Sequence, residues 1–130
     1  MLKRDFILVQ IEELAKVITQ IISQRNTDAA RKIPQLVQGV YNSLKIDREF
    51  IMEASLKDIR QALDEEDSGG LQRMEITAKL LVEEAYLYPD KQRDIRTKAK
   101  EMLEYIQLHD ITFSLERIQM LEELKLQLEG

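Results

Sequence analysis

The chain has 130 residues, of which 44% are hydrophobic and 33% charged, and its formal net charge is −5. This length suits one domain over residues 1–130, and the composition excludes a disordered or a membrane-spanning chain. Acidic and basic residues alternate along most segments, which argues against nucleic-acid binding, and the absence of cysteine excludes disulfides and predicts a protein of the reducing cytoplasm.

The first predicted element is a long helix over residues 4–25. Its apolar residues recur every three or four positions, as they do on one face of a helix. They are Ile7, Ile11, Leu14, Ile18 and Ile21. The apolar run at residues 6–9 is too short for a signal peptide or a spanning helix, so no membrane association is expected.

Three further segments are predicted before residue 71. Turn-forming residues 26–28 cap a helix over residues 29–44, which completes a hairpin over residues 4–44 with Pro34 in its first turns. Asp47 caps a segment over residues 48–63, and a capping box at Ser55 leaves one bent helix or two short helices. Residues 64–70 are predicted to form an acidic loop. A calcium-binding loop is less favoured, because the alternating ligand spacing of such loops is absent.

The clearest pattern consists of two amphipathic stripes between residues 71 and 109, separated by a break that contains Pro89. Alanines recur in both stripes and allow two helices to approach closely, which predicts a second antiparallel hairpin. The stripes are Leu71, Met74, Ala78, Leu81, Ala85 and Tyr88, and then Ile95, Ala99, Met102, Ile106 and His109.

A last helix is predicted over residues 113–129, with Thr112 or Ser114 as its cap. Its buried face would consist of Ile118, Leu121, Leu124 and Leu128. No segment alternates as a strand does, so the fold class is all-α, with about six helices in antiparallel hairpins. Apolar positions of the first hairpin recur in the later one about two tetratricopeptide periods away, each period being roughly 34 residues. This recurrence of apolar positions predicts a tetratricopeptide-like, right-handed helical array with a C-terminal capping helix.

The chain opens with MLKRDFI at residues 1–7 and IEEL at residues 11–14. This opening looks like the start of a small, uncharacterised all-helical family of Gram-positive bacteria, and residues 78–88, 99–105 and 112–118 are similar to the second half of that family. The resemblance implies a tetratricopeptide-like fold. It implies no assigned activity and no catalytic residues.

The side-chain inventory argues against catalysis. His109 is the sole histidine and ends its stripe, which predicts a partly buried ring that meets helix-terminal carbonyls; a general base or a metal ligand is the alternative. With one histidine and no cysteine, zinc and di-iron sites lack ligands. Adjacent glutamates such as Glu83 and Glu84 point about 100° apart on a helix, so they cannot converge on one ligand. They are predicted to lie on solvated helix faces. We expect no enzyme activity, no metal and no cofactor.

Five basic residues crowd the start of the helix that follows Pro89, where positive charge opposes the helix dipole. They are Lys91, Arg93, Arg96, Lys98 and Lys100. The sequence predicts that they pair with Glu83, with Glu84 or with the acidic loop. The alternative is a basic patch that docks an acidic partner.

The first predicted helix and the fourth, which begins at Leu71, carry apolar residues outside their main stripes. Such helices are either sandwiched within their own domain or cover a partner. The second interpretation places an apolar groove between them, lined by Ala15, Ile22, Val82 and Tyr86. The sequence thus predicts a scaffold for protein–protein interaction or assembly, with an unidentified protein partner or a homodimer. The alternative is a small-molecule or lipid-binding domain that uses the same groove.

Overall fold

A computed structural model describes the backbone of residues 3–64 and 69–129 and the side chains of residues 6–64 and 69–129. All regular elements in these ranges are helical, which confirms the all-α class. The α-helices are α1 (Lys3–Gln24), α2 (Ile33–Leu44), α3 (Arg48–Glu53), α4 (Leu56–Leu63), α5 (Gly70–Glu84), α6 (Gln92–His109) and α7 (Leu115–Glu129). About six helices were expected, and the described residues form seven. None of the described helices is long and apolar enough to cross a bilayer.

The additional helix arises because the middle segment is divided at Ser55. The backbone of Ser55 is extended, and its hydroxyl accepts a hydrogen bond from the Asp58 N–H at 3.1 Å. Asp47 caps α3 in the same way, by accepting from the Phe50 N–H at 2.8 Å. Two capped helices therefore replace one bent helix, as the capping box at Ser55 indicates.

The predicted helix over residues 29–44 is wrong at its start. A 3-10 helix, Asp28–Lys32, comes first, and α2 begins only at Ile33. Pro34 explains the change, because it has no N–H and its ring clashes with the carbonyl four residues earlier in an α-helix. The last helix also begins later than residue 113, and its cap is Ser114, whose hydroxyl accepts from the Arg117 N–H at 3.2 Å.

Helix α5 lies at the centre of the core and contacts α1, α2, α4 and α6. Ile76 and Leu80, which lie outside its main stripe, are buried, so the internal sandwich accounts for these two. Ala78 of α5 and Ala99 of α6 are fully buried, and the two helices are in contact.

Helices α1 and α5 lie side by side in the same direction. Near one end, the Arg73 Nε donates to the Gln10 Oε1 at 2.8 Å. Near the other end, Arg25 pairs with Glu83 at 3.0 Å. In both helices the contact residues follow the same order along the chain, which fixes the shared direction.

Helix α7 runs in this direction too. Its Arg117 binds Glu75 in the first half of α5, with an Nε–Oε2 distance of 2.8 Å. Its Gln127 reaches the hydroxyl of Tyr86, just beyond the end of α5, at 3.5 Å. Helices α1, α5 and α7 thus share one direction.

Candidate functional site

Helices α1, α5 and α7 enclose a cleft of about 390 Å³. The four residues that the sequence assigns to a groove all line this cleft: Ala15, Ile22, Val82 and Tyr86. Ala15 and Val82 are half-buried, whereas Ile22 and Tyr86 are 46% and 38% exposed. The structure therefore brings together two pairs of residues that are at least sixty positions apart in the chain and leaves apolar surface open to solvent.

The third wall of the cleft was missed from the sequence. It consists of Glu116, Met120 and Glu123 of α7. Their spacing of four and three residues puts them on one face of the helix, next to the leucine-rich face that packs into the core. This spacing is the signal that could have identified them, whereas the position of α7 beside α5 depends on distant contacts.

Charged side chains at the edges of the cleft pair between helices. Arg25, just beyond the end of α1, contacts Glu83 of α5 at 3.0 Å, and its guanidinium carbon lies 4.0 Å from the centre of the Tyr86 ring. Lys79 of α5 forms an ion pair with Glu116 of α7. These contacts connect all three walls and hold the cleft in shape.

Glu123 differs from the other charged residues of the cleft. It is exposed and has no ion-pair or hydrogen-bond partner in the described part of the chain. Burial raises the pKa of Glu83 above its ordinary value, the charge of Glu123 raises it further, and Arg25 acts in the opposite direction. The two carboxylates therefore repel each other across the cleft.

A second cavity of about 420 Å³ adjoins the first. Arg25, Glu83 and Tyr86 line both cavities, so the side chain of Arg25 is part of the wall between them. Ala30 and Ile33 also line the second cavity. Its lining adds apolar surface next to Tyr86.

The prediction that Glu83 and Glu84 are solvated is wrong. Their exposed fractions are only 8% and 2%. Glu84 accepts hydrogen bonds from the Tyr41 hydroxyl and, at 3.0 Å, from the Arg48 guanidinium. Burial raises the pKa of Glu84, although Tyr41 and Arg48 oppose the shift. The reason for the error is that each carboxylate has its own partners on other helices.

The five basic residues at and near the start of α6 differ in their contacts. The Lys98 ammonium donates to the Ala54 carbonyl at 2.7 Å, and Lys100 pairs with Glu104 at 3.3 Å. Arg96 lies 5.2 Å from the centre of the Tyr86 ring, beside the cleft. Lys91 and Arg93 are exposed. Their predicted pairing with Glu83 and Glu84 is wrong, because Arg25 and Arg48 occupy those carboxylates.

His109 is exposed, so its predicted partial burial is wrong. Its ring stacks on that of Tyr105 at 4.0 Å between centres, and its Nδ1 lies 2.7 Å from the Tyr105 carbonyl oxygen. The contact with a carbonyl near the helix end is thus present without burial. No group of three or more histidine, aspartate or glutamate residues within the described ranges is placed to hold a metal. The predicted acidic loop lies largely outside those ranges, at residues 65–68.

The connection between α6 and α7 is held by a buried arginine. Arg117 is 2% exposed and binds Glu75, Gln107 and Asp110 through separate nitrogens. The pKa of Asp110 is lowered, first by the N–H of Thr112 and also by Arg117. Four apolar side chains in or next to this connection are exposed. They are Leu108, Ile111, Phe113 and Leu115.

Comparison of the chain with protein-family models, with curated proteins and with solved structures found no match. The resemblance to a Gram-positive family therefore stays a prediction.

Proposed function

We propose that the protein is a scaffold of the cytoplasm for protein–protein interaction or assembly, and that a protein partner binds in the cleft between α1, α5 and α7. One observation carries this proposal: apolar residues from two helices converge on the cleft, yet Ile22 and Tyr86 remain exposed. Full burial of a large apolar side chain contributes about 1.5–3 kcal/mol. A partner that covers both residues therefore gains substantial affinity from them.

A tetratricopeptide-like arrangement is part of the proposal. It is supported by the common direction of α1 and α5 and by the packing of α2 and α6 against them. Helix α6 contacts α5 near Ala85 through Gln92, while Arg117 bridges Glu75 and Gln107 at the opposite ends. Such an antiparallel α5–α6 pair fits a helical hairpin whose first helix faces the cleft.

A small-molecule or lipid site is the second candidate. Its support is the volume of the cleft, which falls within the range of about 300–1,000 Å³ that is typical of small-molecule pockets. Five charged side chains line the cleft, which suits a lipid chain less well than a protein surface. Native mass spectrometry of the purified protein distinguishes the two candidates, because a bound small molecule adds its mass to the chain.

The test of the interaction is a charge placed on the cleft floor. We expect Val82→Glu to lower the amount of partner captured from the native cell at least tenfold, as measured by quantitative mass spectrometry. The reason is that the substitution buries a carboxylate against the partner. Leu126→Glu is the matched control, since Leu126 is an exposed residue of α7 outside the cleft. Circular dichroism checks that both variants fold. If Val82→Glu unfolds, Thr19→Arg replaces it, because Thr19 lines the cleft and is exposed.

A partner that binds wild type and both cleft variants equally contradicts the proposal. A homodimer is the other form of the same proposal, with a second copy as the partner. Sedimentation velocity over a range of concentrations then detects a dimer that Val82→Glu removes and Leu126→Glu retains.

A further inference from the structure

The charges that line the cleft do not balance. Arg25 pairs with Glu83, and Lys79 pairs with Glu116. Glu123 is left without a partner among the described residues, opposite a carboxylate that is already buried. The cleft therefore has one negative charge in excess, at the position where Glu123 and Glu83 face each other. A positively charged group of an occupant would be attracted there.

The shape of the apolar surface limits the occupant further. Ala15, Thr19 and Ile22 follow one another at helical spacing along the wall formed by α1. Leu8 is exposed and lies two turns before Ala15 on the same face. This face extends from Leu8 to Ile22, a length of about 21 Å at 1.5 Å per residue. It is long enough for about four turns of a second helix.

The walls of the cleft also distinguish a helix from an extended segment. All three walls are α-helices, whose backbone N–H and C=O groups bond within each helix apart from the terminal turns. An extended segment would find no strand edge to pair with, and its own backbone groups would lose water without replacement. A helix satisfies its backbone groups internally and presents only side chains.

We infer that the occupant of the cleft is an amphipathic α-helix of a partner protein, with a lysine or arginine that pairs with Glu123 beside its apolar face. This inference rests on the proposed function, because it concerns the same cleft. The apolar side chains of the partner cover Ile22, Val82 and Met120. The basic side chain reaches Glu123 and reduces its repulsion of Glu83.

The experiment is a selection from a displayed library of 18-residue peptides, randomised in sequence, on wild-type protein and on Glu123→Lys. Peptides selected on wild type are expected to show apolar residues at helical spacing, with a lysine or arginine at one fixed offset. They should bind Glu123→Lys about tenfold more weakly and Glu123→Gln with an intermediate affinity. Peptides selected on Glu123→Lys should carry aspartate or glutamate at that offset. Glu123 is exposed, so these variants are expected to fold, which circular dichroism verifies.

The possible outcomes distinguish the inference of a helical occupant from the proposed function of the cleft. Peptides that need Val82 but bind wild type and Glu123→Lys equally overturn the inference and leave the proposed function in place. Bound peptides that show no helical signal by circular dichroism overturn it as well. If Val82→Glu weakens neither a selected peptide nor a dimer, the cleft is not a binding surface and the proposed function fails. A dimer that Val82→Glu abolishes, with no selected helix, makes a second copy the occupant and overturns the inference.

Discussion

Replacing Arg117 tests how much the buried arginine stabilises the fold. Its Nε lies 2.8 Å from Glu75, its Nη1 2.9 Å from Gln107 and its Nη2 2.8 Å from Asp110. Removal of one partner of a buried ion pair typically costs about 3–5 kcal/mol. The side chains of Glu75 and Asp110 are 24% and 28% exposed, so water compensates part of the loss. We therefore expect Arg117→Met to lower the free energy of unfolding by about 3 kcal/mol.

Urea denaturation followed by circular dichroism measures this change, and the melting temperature should fall by about 10 °C for a chain of this length. Arg93→Met is the control, because Arg93 is an exposed arginine of α6 and should change stability by less than about 0.5 kcal/mol. A loss below about 1 kcal/mol for Arg117→Met would refute the reasoning. Such a result would mean that Glu75 and Asp110 are as well solvated without the guanidinium as they are bound to it.

Three further predictions concern stability. Burial raises the pKa of Glu84 above its ordinary value of 4.5, so the folded state holds the proton of this carboxyl more tightly than the unfolded state does. The free energy of unfolding of wild type, relative to that of Glu84→Gln, should therefore fall as the pH rises from 4.5 through the raised pKa. Urea titrations between pH 4 and 8 measure this difference, and a rise with pH would contradict the expectation. Gly39→Ala should stabilise the fold by about 0.5–1 kcal/mol, because a Cβ at this helical position meets no atom within 4 Å. Gly70→Ala should destabilise the fold, because its Cβ would lie 2.7 Å from a backbone oxygen. Thermal melts should show a higher melting temperature for the first variant and a lower one for the second. Ser55→Ala should cost about 1 kcal/mol through loss of the α4 cap, and an unchanged melting curve would show that the cap is not needed.

The helices were largely predictable because their signals are local. Apolar spacing identified the buried faces, as Leu14, Ile18 and Ile21 of α1 illustrate. The caps Asp47 and Ser55 were also recognisable, because each acts on an N–H three residues ahead. The start of a helix was predicted wrongly where a nearby proline disrupts the α-helical hydrogen bonds, as Pro34 does in the first turn of α2.

The charge contacts were not predictable from the sequence. Glu83 and Glu84 are adjacent, and local geometry says only that they point in different directions. Their partners Arg25 and Arg48 are 58 and 36 residues away, so nothing near the two glutamates indicates their burial. The cleft shows the same division: its α1 and α5 residues followed from surplus apolar faces, whereas the α7 wall depends on how distant helices pack.

The central position of α5 has a consequence for synthesis on the ribosome. Helices α1 to α4 leave the ribosome first, yet α1, α2 and α4 pack around a helix that begins only at Gly70. Helices α3 and α4, of 6 and 8 residues, are too short to be stable alone, because isolated helices need about 12–15 residues. At about 5–20 residues per second, the nascent chain waits roughly a second or more for α5 to be made. During that time the apolar faces of α1, α2 and α4 lack their packing partner, and exposed apolar surface of this kind promotes aggregation.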